Sequence, residues 1–198
     1  MTPLPPFHDD LDASLAELWR LLGEGARRAG SGFHTPALAT VDAMGRPQLR
    51  TVVLRAADPQ TGVLRFHCDR RSRKAADIAR NGFAALHAYD GEAKVQIRVS
   101  GPASLHIGDA VAHEAWAGSM AMSRVCYGMM PAPGATIDTG DAYTQPDEEE
   151  AVTLGRGNFC AVLVTADALE FLYLDRRGHR RAGWTRDGAD WVGSWLVP

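Results

Sequence analysis

Apolar residues recur every three to four positions from residue 12, with Leu15, Leu18, Leu21 and Leu22 on one side of a helix that Gly23 and Gly25 are expected to end. Before it, residues 1–11 hold three of the chain's prolines and read as a loose arm. After Gly30-Ser31-Gly32 the period shortens to two. Strands are predicted over 35–41 and 48–55 with a hairpin connection over 42–47, and a third over 63–69 beyond the Asp58-Pro59 turn. Residues 72–80 read as a short helix, opened by Ser72 and closed by Asn81-Gly82. Two more strands follow over 83–89 and 95–105. In the second, Val95, Ile97 and Val99 point one way while Gln96, Arg98 and Ser100 point the other.

Helical spacing returns over 107–117 and 120–127, then gives way to a Pro/Gly-rich loop over 129–145. The acidic run 146–150 suits a first helical turn, where carboxylates meet the positive end of the macrodipole. Strands near 161–165, 169–174, 180–185 and 190–196 close the chain. Strands outnumber helices and come as neighbouring hairpins. The predicted fold is therefore mainly β and mostly antiparallel, a barrel with inserted helices rather than a βαβ sheet. All 198 residues are expected to form one domain.

Composition narrows the function. The formal net charge of −3 does not favour a nucleic-acid partner, which wants a basic field. Apolar stretches stay far below the roughly 20 residues of a membrane span, and the start of the chain lacks the basic and apolar regions of a signal peptide. Cys68, Cys126 and Cys160 form no CxxC pair, so reduced thiols and a cytoplasmic location are expected. No metal site is predicted. Gly23-Glu24-Gly25 follows a helix and has Arg at position 28, so it is no dinucleotide fingerprint. His113-Glu114 lacks the second histidine of a zinc-protease motif, since residue 117 is Ala.

One local pattern carries chemistry. Arg70-Arg71-Ser72-Arg73-Lys74 puts two cations into the first turn of the helix that Ser72 opens. Cations there oppose the helix dipole and cost a few tenths to about 1 kcal/mol each. Free N–H groups and partial positive charge at a helix start bind anions, so the cation pair reads either as an anion site or as a solvated basic turn.

The chain resembles the pyridoxamine 5′-phosphate oxidase family of FMN-binding split β-barrels. Four ordered segments carry the likeness: Arg50-Thr51-Val52-Val53-Leu54-Arg55, Phe66-His67-Cys68-Asp69-Arg70-Arg71-Ser72-Arg73-Lys74, Gln96-Ile97-Arg98-Val99-Ser100-Gly101, and Leu169-Glu170-Phe171 with the closing Trp195-Leu196-Val197-Pro198. The resemblance implies FMN as cofactor and a homodimer with flavin at the interface. It implies that Arg50, Arg73 and Lys74 hold the flavin phosphate, with His67 and Cys68 beside the phosphate and ribityl chain. Gln96 would meet the pyrimidine edge. Backbone from Thr51 through Val52, Val53 and Leu54 would run along the ring, and Arg55 would contact flavin and substrate. Candidates for binding a small substrate are Arg55, Arg124, Tyr127 and Arg180. No catalytic residue is assigned.

Departures from the family pattern bear on the substrate. The family's tryptophan after Glu-Phe is Leu172, and its closing Arg-x-His-x-Arg is Arg180-Arg181-Ala182-Gly183-Trp184, with one arginine kept. Its glutamine-serine flavin contact is replaced within 130–134. Three functions stay open: an FMN-dependent oxidoreductase on another small substrate, a true pyridoxamine/pyridoxine 5′-phosphate oxidase, or a flavin-binding module without turnover.

Overall fold

A computed structural model describes residues 3–198; Met1 and Thr2 of the expected arm lie outside them. Ten strands and five α-helices follow one another as α1 (Leu11–Arg27), β1 (Ala37–Val41), β2 (Pro47–Thr51), β3 (Leu54–Asp58), β4 (Val63–Asp69), α2 (Arg73–Asn81), β5 (Phe83–Asp90) and β6 (Val95–His106), then α3 (Ala110–Ala117), α4 (Ala121–Arg124), α5 (Glu148–Leu154), β7 (Phe159–Thr165), β8 (Ala168–Tyr173), β9 (Arg180–Asp187) and β10 (Asp190–Leu196). Every strand pairing is antiparallel.

The main sheet runs β10-β9-β8-β6-β5-β1-β2, and a branch continues β6-β7-β4-β3. β6 joins the two. Its first half pairs with β8 from Val95 to Ser100, and its end pairs with β7 from Ala103 to His106. Gly101 sits at the switch, where a side chain would collide with the backbone oxygen of Thr165. The sheet is open, as a split barrel requires.

Alternation decides what the barrel encloses. Leu64, Phe66 and Cys68 of β4 face Val95, Ile97 and Val99 of β6 and Cys160, Val162 and Val164 of β7 within one core. Leu18, Trp19, Leu21 and Leu22 of α1 complete it, each large apolar side chain contributing about 1.5–3 kcal/mol. A smaller cluster lies on the other side of β7, where Ala112, Ala115 and Trp116 of α3 cover Phe159 and Ala161.

Several predicted boundaries move, each for a physical reason. α1 continues past Gly23 and Gly25 to Arg27, because Gly25 lies against the Phe33 backbone, where any side chain would clash. That glycine serves close packing rather than termination. The strand predicted over 48–55 breaks: Val52 N–H reaches the Pro36 carbonyl, Leu54 N–H reaches the His34 carbonyl, and the chain passes from the main sheet to the branch. Gly108, at φ 69°, delays α3 until Asp109 caps it. The segment over 120–127 divides into α4 and a 3₁₀ turn. Asp147 and Glu150 form a reciprocal capping box that opens α5, so the acidic run is used as helix chemistry. The arm is not loose at its inner end. Phe7 meets Phe171 and Tyr173 edge-on, and His8 is buried.

Candidate functional site

β4 delivers its last residues to the start of α2, and His67, Cys68, Arg73 and Lys74 of the predicted cofactor residues lie on this segment. Asp69, 5% exposed at its side chain, ends the strand and accepts a fork from Arg71, with Nη2–Oδ2 2.6 Å and Nε–Oδ1 3.0 Å. The same guanidinium donates to the Tyr127 and Met129 carbonyls and to Met130 Sδ. Arg71 thus leaves the basic run and anchors the base of the 129–145 loop. Backbone bonds between Met130 and Thr144 close that base. Arg71 was not among the predicted site residues. Its signal in the sequence was Asp69 two positions earlier.

Past that anchor, Ser72, Arg73 and Lys74 remain. Ser72 occupies the N-cap position but its side chain makes no cap bond; Ser72 Oγ is buried and makes no hydrogen bond, beside the Cys68 thiol. Arg73 and Lys74 make no hydrogen bond or ion pair among the described residues, and no acid sits in the first turn of α2. A buried hydroxyl without a partner costs about 1–3 kcal/mol. The two cations follow it directly in the first turn of a nine-residue helix, whose first N–H groups have no intrahelical partner. The donor set fits a phosphate group. Gly134 of the loop lies over this corner, where a side chain would come within 3.7 Å of Arg73 Nε.

Arg50 reaches the same helix from β2. Its Nη1 donates to Thr40 Oγ1 at 2.7 Å and more weakly to the Leu38 and Gln48 carbonyls, and its Nη2 lies 3.5 Å from Asp77. Thr40 and Asp77 are buried and bonded to each other at 2.7 Å. Asp77 follows Arg73 by one helical turn, so Arg50 is held beside the start of α2 by internal partners. Asp77 is a second residue the sequence did not single out. Of the run after Arg50, Thr51 is exposed, Val52 and Leu54 are buried and Val53 is half-buried.

His67 faces the opposite side of β4 from Cys68, toward Phe159, whose ring it meets edge-on at 4.9 Å. Burial, and behind it the charges of Arg65 and Arg55, lower its pKa to about 4. It is therefore neutral at physiological pH, and its Nε2 is buried with no partner. Arg55 makes no hydrogen bond among the described residues and lies close enough to influence His67 and Tyr127 electrostatically. Arg55 and His67 thus adjoin on the branch sheet.

Of the other substrate candidates, Tyr127 packs beside this corner and the two arginines are engaged elsewhere. Arg124 Nη2 donates to the Trp116 and Ser119 carbonyls at 2.9 Å each, its Nε donates to Ser119 Oγ, and the guanidinium lies over the Trp116 ring. Tyr127 is 7% exposed and packs on Phe159, and burial raises its pKa. Arg180 pairs with Asp9 at 2.6 Å on the far edge of the main sheet.

Gln96 stands apart. It lies on the outer face of the main sheet, opposite Tyr89 on one side and Leu172 on the other. That face also presents Leu49, Phe83 and Tyr89, exposed by 71%, 55% and 48%.

Fold and site together define a split-barrel protein with a cationic corner at the end of a core strand. Residues 16–107 match the family described as pyridoxamine 5′-phosphate oxidase, FMN-binding domain. A pyridoxine/pyridoxamine 5′-phosphate oxidase of Gluconobacter oxydans (strain 621H) is 31% identical over 172 residues, 82% of each chain. Its counterpart from Anaeromyxobacter dehalogenans (strain 2CP-C) is 37% identical over 102 residues, about half of each chain. Among solved structures, a pyridoxamine 5′-phosphate oxidase-related, FMN-binding protein from Nostoc punctiforme PCC 73102 matches at TM-score 0.70 and 27% identity over 98% of both chains. PhzG from Burkholderia lata 383, solved with tetrahydrophenazine-1-carboxylic acid, shares the fold at TM-score 0.72 and 23% identity over 100% of this chain and 99% of its own. The chain belongs to the pyridoxamine 5′-phosphate oxidase-like family.

Proposed function

We propose that this protein binds FMN and acts as a cytoplasmic FMN-dependent oxidoreductase on a small substrate that carries no phosphate ester. The flavin phosphate would be held by Arg73, Lys74 and Ser72, with Arg50 behind them. The supporting observation is a buried hydroxyl and two uncommitted cations at one helix start. Bound FMN would supply hydride or electron transfer. Neutral His67 would offer Nε2 for one hydrogen bond, Arg55 would place a fixed positive charge near it, and Gln96 would meet the flavin edge of a partner's site.

Substrate choice follows from what is already spent. A second phosphate would need another set of free cations, yet Arg124 is held by carbonyls and Arg180 is paired with Asp9, which leaves Arg55 as the one uncommitted arginine among the candidates. Pyridoxamine 5′-phosphate is accordingly expected to turn over at well under ~1 s⁻¹, the lower edge of ordinary enzymatic rates. A steady-state assay for peroxide release with the flavin-loaded protein checks this. Turnover within the ordinary range would establish the second reading, a true pyridoxamine/pyridoxine 5′-phosphate oxidase, which the 31% identity to the Gluconobacter enzyme favours.

The reading also requires a homodimer, because Gln96 and the phosphate corner occupy different parts of one chain. The outer sheet face, with its exposed Leu49, Phe83 and Tyr89, would be the contact. Sedimentation velocity should show a dimer, and Leu49→Asp with Tyr89→Asp should shift it to monomer with loss of flavin. A wild-type monomer that holds FMN would refute that assembly.

A further inference from the structure

We propose that Cys68 and Cys160 form an oxidisable dithiol, which hydrogen peroxide converts to a reversible disulfide across β4 and β7. The two residues are directly opposed in the ladder. Arg70 N–H donates to the Asn158 carbonyl and Ala166 N–H to the Gly62 carbonyl, one and three steps of two from the cysteine pair. That parity makes Cys68 and Cys160 a hydrogen-bonded pair. Cα atoms in such a pair lie about 5.5 Å apart, inside the roughly 4.4–6.8 Å that a disulfide spans. Both side chains point into the barrel, 4% and 0% exposed, so neither can turn to another partner.

The environment separates their roles. Contact with Cys160 and the Lys74 charge hold the Cys68 thiol below its usual range, against burial. The same contact raises the Cys160 thiol. Lys74, in the helix that follows β4, lies on the Cys68 side of the pair, which makes Cys68 the nucleophile and Cys160 the resolving thiol. The Cys68 thiolate attacks one peroxide oxygen, the O–O bond breaks, and the departing hydroxide takes a proton to become water, leaving a sulfenic acid. Cys160 sulfur then attacks the Cys68 sulfur, expels the hydroxyl as a second water and gives up its proton. Two thiols lose two electrons and one peroxide gains them. The resulting bond would tie the seam behind Ser72 and Lys74.

The test uses the full chain as purified and does not depend on its flavin content. After treatment with hydrogen peroxide, alkylation in denaturant and peptide mapping should show Cys68 linked to Cys160, with the alkylatable thiols falling from three to one and returning on reduction. Cys160→Ser should stop Cys68 at the sulfenic acid, trapped by dimedone. The wild-type mapping decides the matter even if that variant misfolds. Oxidation of surface Cys126 with Cys68 and Cys160 both still alkylatable would overturn the proposal. So would a disulfide that includes Cys126.

Discussion

Replacing Arg73 and Lys74 together by alanine is expected to weaken FMN binding by roughly 10- to 1,000-fold and to leave riboflavin binding nearly unchanged. A charge-assisted hydrogen bond contributes on the order of 1.5–3 kcal/mol, or about 10- to 150-fold per residue. Arg73 is exposed and Lys74 half-buried, so solvent screening holds Arg73 toward the low end. The losses will not simply add, since both cations would meet one anion. Riboflavin keeps the ring and ribityl chain but lacks the phosphate, which makes it the control for a folding effect. Titration of both proteins with both ligands by flavin fluorescence checks the outcome. Equal losses for the two ligands would show that the pair supports the fold rather than the phosphate.

Arg71→Ala should be the more damaging change to the fold. It strands the Asp69 carboxylate, 5% exposed, and removes the donors that hold the Tyr127 and Met129 carbonyls and Met130. Breaking a buried pair on one side costs about 3–5 kcal/mol, which for a chain of this size lowers the unfolding midpoint by roughly 6–20 °C. Asp69→Ala combined with Arg71→Ala should recover part of the loss, because no buried charge is then left unpaired. Protease cutting within residues 129–145 should quicken in Arg71→Ala. Thermal unfolding and limited proteolysis provide the measurements. A midpoint within about 2 °C of wild type would show that the loop is held by something else.

Much of this was legible because the relevant information is local. The β4 boundaries, the β6 alternation and the Gly82 stop of α2 each follow from period or turn chemistry within a few residues. The two cations in the first turn of α2 were visible for the same reason, since they stand where the helix dipole disfavours them. Gly25 misled because close approach to Phe33 and helix termination use the same residue. The break after Thr51 was hidden because Val52 and Val53 favour strand as strongly as their neighbours, and only the topology carries the chain into the branch sheet. Arg124 and Tyr127 illustrate the wider limit. Residue type alone does not tell a free arginine from one held by the carbonyls of a helix end, and that distinction bears on the substrate argument.

FMN binding is the central claim, and titration of the flavin-free protein with FMN tests it most directly. Fluorescence quenching should saturate at one FMN per chain. Riboflavin should bind at least about tenfold more weakly, as one charge-assisted phosphate contact implies. FMN fluorescence that stays unquenched at saturating protein, or FMN and riboflavin binding with equal affinity, would contradict the account.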